Sequence, residues 1–232
     1  MTVTYHYDID QGTPEWHELR RGIITASTIS SMLTAGGKIA DNASSRRACY
    51  EIAIERITGF YEETPTTFAM TRGHDDEQLA RDVYTAHKEP VIECGFITNN
   101  RHGVMIGCSP DGLVGDNGGI ECKSRLHAIQ LEVILANAVP SEYVAQIQTC
   151  LLVSEREWWD FLSIPSFGGG KMLVKRVFSD LKYQKLLVEA AKTCEQRVAD
   201  IIGAYKKTLD RGDITLLDVP RREKEPTDEV KL

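Results

Sequence analysis

The period of the apolar positions changes along the chain, and each change predicts a different element. Leu79, Ala80, Val83, Tyr84 and Ala86 recur at three and four and predict a helix over 73–87, closed by Pro90. Leu187, Ala191, Cys194, Val198, Ile201 and Tyr205 form one side of a long amphipathic helix over 180–207. A helix over 46–57 turns Ala48, Ile52 and Ile57 inward and leaves through 59–65. Thr13-Pro14-Glu15-Trp16 has the chemistry of a helix start, and that helix runs to residues 20–21 and breaks at Gly22. A second begins at Thr25 or Ser27 and stops at 35–37, and the polar stretch 36–45 reads as a mobile loop. Strands are expected over 91–98 and 104–108 around Asn99-Asn100-Arg101-His102-Gly103, and over 120–124 after Asp116-Asn117-Gly118-Gly119. Ser141, after Pro140, caps a helix to residue 153, and strands over 158–164 and 172–178 flank Gly168-Gly169-Gly170. The fold class is α/β (α+β): one domain over 1–210, a mixed sheet flanked by helices, with a charged, mobile tail over 211–232.

Composition narrows the class without naming a partner. The chain has 232 residues, 42% hydrophobic and 26% charged, as an ordinary globular domain has. No secretory signal and no apolar run of about 20 residues is visible, so no membrane partner is expected. The six cysteines include no Cys-x-x-Cys pair, which argues against zinc or iron–sulfur, and they read as reduced cytosolic thiols. The net charge of −7 argues weakly against nucleic acid, but it says nothing of how charge is distributed.

The chemistry concentrates at Asp111 and Glu121-Cys122-Lys123. Alternation along a strand puts Glu121 and Lys123 on one face and Ile120 and Cys122 on the other. The Gly-rich turn before Ile120 returns the chain antiparallel beside Asp111, so two carboxylates and an ammonium converge at a sheet end. Hard oxygen ligands of this kind recruit Mg²⁺, and the lysine offsets charge developing at a phosphate. The bland alternative is a surface salt bridge, and for Glu77 an (i, i+4) pair with Arg81.

Five blocks in order then resemble the phage lambda exonuclease/YqaJ-type viral recombinase nucleases, within the restriction-endonuclease-like PD-(D/E)xK group. They are Trp16-His17-Glu18-Leu19-Arg20-Arg21-Gly22-Ile23-Ile24-Thr25-Ala26-Ser27, Gly73-His74-Asp75-Asp76-Glu77, Cys108-Ser109-Pro110-Asp111-Gly112-Leu113, Gly119-Ile120-Glu121-Cys122-Lys123 and Tyr143-Val144-Ala145-Gln146-Ile147-Gln148. They span 16–148, and nothing in 36–70 or 165–232 matches. The resemblance implies a restriction-endonuclease-like core, with Asp111, Glu121 and the Cys122 carbonyl as metal ligands. It makes Lys123 the residue that positions the attacking water and Glu77 a further acid. Gln146 would reach the active site, and Arg20 and Ser27 would receive a 5′-phosphate. An arginine beside free N–H groups at a helix start suits an anion on physical grounds as well. Weaker DNA-contact candidates are Tyr143, Gln148, Ser109, Thr25, Arg46 and Met70, the last as an apolar wedge.

The expected function is a 5′→3′ exonuclease acting on double-stranded DNA ends, releasing mononucleotides and leaving 3′ overhangs for annealing recombination. Its cofactor would be Mg²⁺, with Mn²⁺ substituting, two ions per site about 3.5–4 Å apart. The resemblance also implies a homotrimer, a single-strand annealing protein as partner, and a phage-encoded protein in the bacterial cytoplasm. The rivals are a RecB-like single-strand nuclease or structure-specific endonuclease on the same core, and a non-catalytic DNA-binding module.

Overall fold

The computed structural model describes residues 2–34, 36–62 and 67–221, without the side chains of residues 69 and 70. Along the chain run β1 (Val3–His6), α1 (Pro14–Arg20), β2 (Ile24–Thr25), α2 (Ala26–Ser31), α3 (Ala43–Thr58), α4 (Phe68–His87), β3 (Val91–Ile92) and β4 (Phe96–Asn99). Then follow β5 (Ile106–Cys108), β6 (Gly112–Val114), β7 (Gly118–Arg125), α5 (His127–Ala136), α6 (Ser141–Ser154), β8 (Trp158–Pro165), β9 (Leu173–Phe178) and α7 (Leu181–Leu209).

The strands form two mixed sheets rather than the single one expected, in the orders β1-β4-β5-β2 and β3-β6-β7-β8-β9. The expected strand over 91–98 divides between them, because Glu93-Cys94-Gly95 carries the chain from one sheet to the other. Gly95 N–H bonds the His6 carbonyl, and a Cβ at Gly95 would lie 1.8 Å from the Ile9 carbonyl oxygen, so only glycine permits this crossing. The chain crosses back between β5 and β6, and Asp111 sits in that second crossing. β6 pairs antiparallel with β7, placing Gly112 opposite Ile120 as the turn chemistry predicts. β7 pairs parallel with β8, and that pairing needs a crossover, which α5 and α6 supply.

Helix faces decide the layers. Leu187, Ala191, Cys194 and Val198 of α7 are fully buried, as predicted, but Tyr205 is 42% exposed, so the stripe leaves the core near its end. On α3 the inward set is Ser45, Cys49, Ile52 and Ala53 rather than Ala48 and Ile57, which are half-buried. α4 begins at Phe68, five residues before the expected start, so Gly73 lies inside it at a cost of about 1 kcal/mol against alanine. α2 ends at Ser31, because Met32 is drawn into the core and residues 33 and 39 close a bridge. The expected loop 36–45 therefore holds a bridge, a buried Ala40 and the Asn42–Ser45 capping box of α3. Pro140, not Ser141, occupies the cap position of α6, without a side-chain bond.

The strands β1 and β2 and the helix α5 were not expected. α5 inverts the usual pattern: Gln130 is buried while Leu131 and Leu135 are exposed. Gln130 holds its place by donating to the Ser163 and Lys171 carbonyls and accepting from Ser163 Oγ. Residues 211–221 carry no helix or strand, and the remainder of the expected tail lies outside the described residues. Among the described residues no helix is long and apolar enough to cross a membrane.

Candidate active site

The second crossing and the strand after it build the centre. Asp111 is turned toward β7, where its Oδ2 accepts the Cys122 backbone N–H at 2.6 Å. The alternation in β7 holds: Ile120 and Cys122 join a small cluster with Ala80, Tyr84 and Leu162, and Glu121 and Lys123 face the other way. Glu121 is 0% exposed, and its Oε1 accepts from Lys123 Nζ at 2.5 Å and from Gln146 Nε2 at 2.7 Å. Its Oε2 is buried with no hydrogen-bond partner among the described residues. Glu77 reaches the centre from α4 and pairs with Arg81, whose Nη1 also donates to the Asp111 carbonyl at 3.2 Å. The expected (i, i+4) pair with Arg81 is thus present, and it lies beside the centre rather than on the open surface. Arg81 itself was weighed only as a surface partner, and its i+4 spacing from Glu77 was the signal for more.

Three carboxylates thus share a buried site with two cations, Lys123 and Arg81. Burial, then the Asp111 charge, push the Glu121 carboxyl up to about 8. The same two causes push Glu77 up to about 7. Burial also raises Asp111 against the pull of Lys123 and the Cys122 N–H. Burial disfavours the Lys123 ammonium, but Glu121 and Asp111 outweigh it and hold the group charged. Burial drives the Cys122 thiol well above its ordinary range, so Cys122 can offer only its backbone to a ligand. Among the described residues no trio of His, Cys, Asp or Glu is already arranged as a metal-ligand shell. Even so, an orphaned carboxylate oxygen and an excess of negative charge fit a divalent cation held by Asp111 and Glu121.

The other candidates separate into groups. Arg20, Thr25 and Ser27 share a pocket of about 290 Å³ with His17, Arg21, Thr28, Glu51 and Glu55. Thr25 Oγ1 lies 2.9 Å from Ser27 Oγ and 3.2 Å from Thr28 Oγ1. Burial lowers the Arg20 pKa, its guanidinium lies 4.1 Å from the Trp16 ring centroid, and it makes no ion pair among the described residues. Trp16, an unforeseen link, donates from Nε1 to the Gly95 carbonyl and to Ser109 Oγ, joining this pocket to the Asp111 crossing. Ser109 is therefore engaged in a packing bond. Tyr143 stacks on Phe161 and lies beneath Lys123 and Arg125 at 5.2 and 5.0 Å. Gln148 departs from expectation: it is buried and bonds the Phe178 carbonyl and the Asp180 N–H, anchoring the entry to α7. Arg46 is exposed and paired with Asp41, as a solvated residue would be. The side chain of Met70 lies outside the described residues.

An Asp, Glu-x-Lys centre on a mixed sheet flanked by helices defines a nuclease with a restriction-endonuclease-like core. The family model for the YqaJ-like viral recombinase domain matches residues 15–157, and the chain belongs to that family. The alkaline exonuclease LHK-Exo from Laribacter hongkongensis is 28% identical, with a TM-score of 0.75 over 85% of this chain and 98% of that one. Its complex with dAMP gives 28% identity and a TM-score of 0.76 over the same shares. A phage-related exonuclease from Haemophilus somnus 129PT, 12% identical with a TM-score of 0.56 over 79% of this chain and 96% of that one, shares the fold alone. No curated protein matches the chain.

Proposed function

We propose that the chain is a Mg²⁺-dependent 5′→3′ exonuclease that degrades one strand of double-stranded DNA from its ends to mononucleotides, leaving 3′ overhangs. The observation that carries this is the buried Glu121 Oε2, without a hydrogen-bond partner among the described residues, beside Asp111, Glu77 and Lys123. Asp111, Glu121 and the Cys122 carbonyl would hold the cation, with Glu77 as a further acid, and the reading includes two ions per site. What such a cation supplies is polarisation of the scissile phosphate and a more acidic water. Gln146 fixes the Glu121 carboxylate through its 2.7 Å bond. Lys123 is held as an ammonium, so it donates to the nucleophile or the phosphate and does not abstract a proton.

Arg20 with the Thr25, Ser27 and Thr28 hydroxyls would receive the 5′-phosphate of the strand being degraded. α2 is only six residues long, so Arg20 and the hydroxyls carry this role more than a helix dipole does. The same reading includes a homotrimer and a single-strand annealing partner, which light scattering and a pull-down with that class of protein would test.

The deciding assay compares 5′-phosphorylated linear duplex with closed circular and single-stranded DNA, with and without Mg²⁺. Linear duplex is expected to disappear only with Mg²⁺, yielding mononucleotides, while circles persist. Circles cut as readily as linear duplex would replace this reading with an endonuclease. Mg²⁺-dependent loss that survives both Asp111→Ala and Lys123→Ala would remove the site assignment.

A further inference from the structure

We infer that Phe68 and Phe167 form a stacking site for an unpaired nucleobase beside the active centre; the inference rests on the nuclease reading above. Phe68 opens α4 and Phe167 lies in the turn between β8 and β9, and they are 75% and 72% exposed. Their ring centroids are 6.5 Å apart at 35°. That is the upper part of the range for rings in contact, and a sandwiched base needs close to twice the ~3.4 Å separation of stacked bases, so this exposed pair has to turn parallel and open only slightly to admit one.

Phe167 is costly where it stands. It has φ +62° and is followed by Gly168 and Gly169, both at φ +72°, in a region that suits glycine or asparagine and strains a bulky side chain. A strained backbone presenting an aromatic ring to water is a pattern that packing does not explain. The strain is held by Asp76, which is 4% exposed and was not singled out in the sequence. Its Oδ1 accepts the Phe167 N–H at 3.1 Å, and its Oδ2 accepts Ser124 Oγ at 2.5 Å. Asp76 directly precedes Glu77 and Ser124 directly follows Lys123, so the ring pair is fixed to the same two elements that carry the catalytic charges.

The ligand chemistry follows from the surroundings. Arg72 lies 5.8 Å from the Phe167 ring centroid, so a cation accompanies two apolar ring faces. Arg72 also pairs with Asp76 at 3.9 Å, which holds it in place beside the rings, and a flat π-system attached to a phosphate suits ring faces with a cation at their edge. The occupant is the unpaired base of a strand entering or leaving the centre.

The test uses the full chain in EDTA, which prevents hydrolysis, and a single-stranded oligonucleotide carrying 2-aminopurine. Wild type is expected to quench the probe on binding. Phe68→Ala and Phe167→Asn are each expected to weaken binding about fivefold or more and to lose most of the quench. Asparagine tolerates the left-handed backbone, so Phe167→Asn keeps or raises the melting temperature, and a folding defect does not mimic the result. Phe178→Ala, which removes a ring 65% exposed on β9, leaves binding unchanged. Undiminished quenching in both variants, or an equal loss in Phe178→Ala, overturns the inference; so does a change in oligomeric mass with unchanged DNA binding, which would assign the rings to a second copy. If wild type degrades linear duplex in Mg²⁺ while the variants quench normally, this inference alone fails. If wild type neither binds nor degrades DNA, the nuclease reading fails and this one with it.

Discussion

Glu121 and Asp160 sit on neighbouring parallel strands and are equally hidden, at 0% and 1% exposure, yet the protein treats them in opposite ways. Asp160 is fully served. Arg176 donates to it twice at 2.9 Å and the Tyr84 hydroxyl donates at 2.7 Å, tying β8 to β9 and to α4. Glu121 receives both its hydrogen bonds on one oxygen, and the other has none among the described residues. A buried charge is tolerable when its lone pairs are satisfied and expensive when they are not. The contrast separates a carboxylate whose bonds hold the fold from one that, on the proposed reading, would hold a cation.

Substitution should divide the two residues sharply. Glu121→Gln is expected to lower Mg²⁺-dependent degradation of linear duplex on the order of 10³-fold, because a neutral amide is a poor ligand for a hard cation. At about pH 8 and above the same change keeps or raises the melting temperature without metal, since it removes repulsion with Asp111 and Glu77 while Asp111 remains as a counter-charge for Lys123. Asp160→Ala should do the reverse. It strands Arg176 and should cost about 2–4 kcal/mol, toward the lower part of the range for a broken buried pair because Arg176 is 37% exposed. Its activity per folded molecule at low temperature should change little. Denaturant melts and specific activity on the two purified variants read both quantities. A Glu121→Gln protein that unfolds while Asp160→Ala stays stable would invert the comparison.

The shifted carboxyls make the next distinction one of pH. Glu77 and Glu121 have folded pKa values raised to about 7 and about 8. A raised value means the folded state holds its protons more tightly than the unfolded chain does. The stability this brings is present below the ordinary carboxylate range and is lost as pH rises through 7 to 8. Metal-free protein should therefore lose several degrees of melting temperature between about pH 6 and pH 9. Mg²⁺ competes with those protons, so its stabilisation and the activity should grow over the same interval. Glu121→Gln should flatten the metal-free slope. A metal-free melting temperature that rises with pH in this window would show that the repulsion among the acids does not act.

Much of this centre is legible in the residues, for identifiable reasons. β7 is a regular strand, so alternation alone places Glu121 and Lys123 together, and the Gly-rich turn returns it beside Asp111. Thr13 caps α1 as its chemistry requires, accepting from the Trp16 N–H. Periodicity fails where burial does not follow polarity. α5 buries a glutamine and exposes leucines, so no apolar stripe marks it. The division of 91–98 between two sheets depends on Gly95 meeting Ile9, a contact across more than 80 positions that no local pattern encodes. Asp76 and Arg81 look like surface charges on a helix, and only the packing of α4 on β7 turns them inward. Gln148 is the converse case: two residues from Gln146, it falls on the buried side of α6 and serves the backbone of β9 and α7.

Arg20 extends the comparison to a half-buried cation and gives the smallest effect. Unlike Glu121, which pairs with Lys123, half-buried Arg20 has no ion pair among the described residues; burial lowers its pKa and nearby Glu55 only partly restores it. Asp160 has its arginine, whereas Arg20 has the Trp16 ring, neighbouring hydroxyls and the more distant charge of Glu55. If an incoming 5′-phosphate completes it, Arg20→Ala should slow degradation from 5′-phosphorylated ends on the order of tenfold and leave 5′-hydroxyl ends nearly unaffected. Arg20→Lys should fall between, keeping the charge while losing the planar fork and its stacking on Trp16. Parallel time courses on duplexes that differ only in the terminal phosphate isolate this term. An equal loss on both ends would mean that Arg20 acts by packing against Trp16 and thence on the Asp111 crossing, and the pocket would then have no part in reading the end.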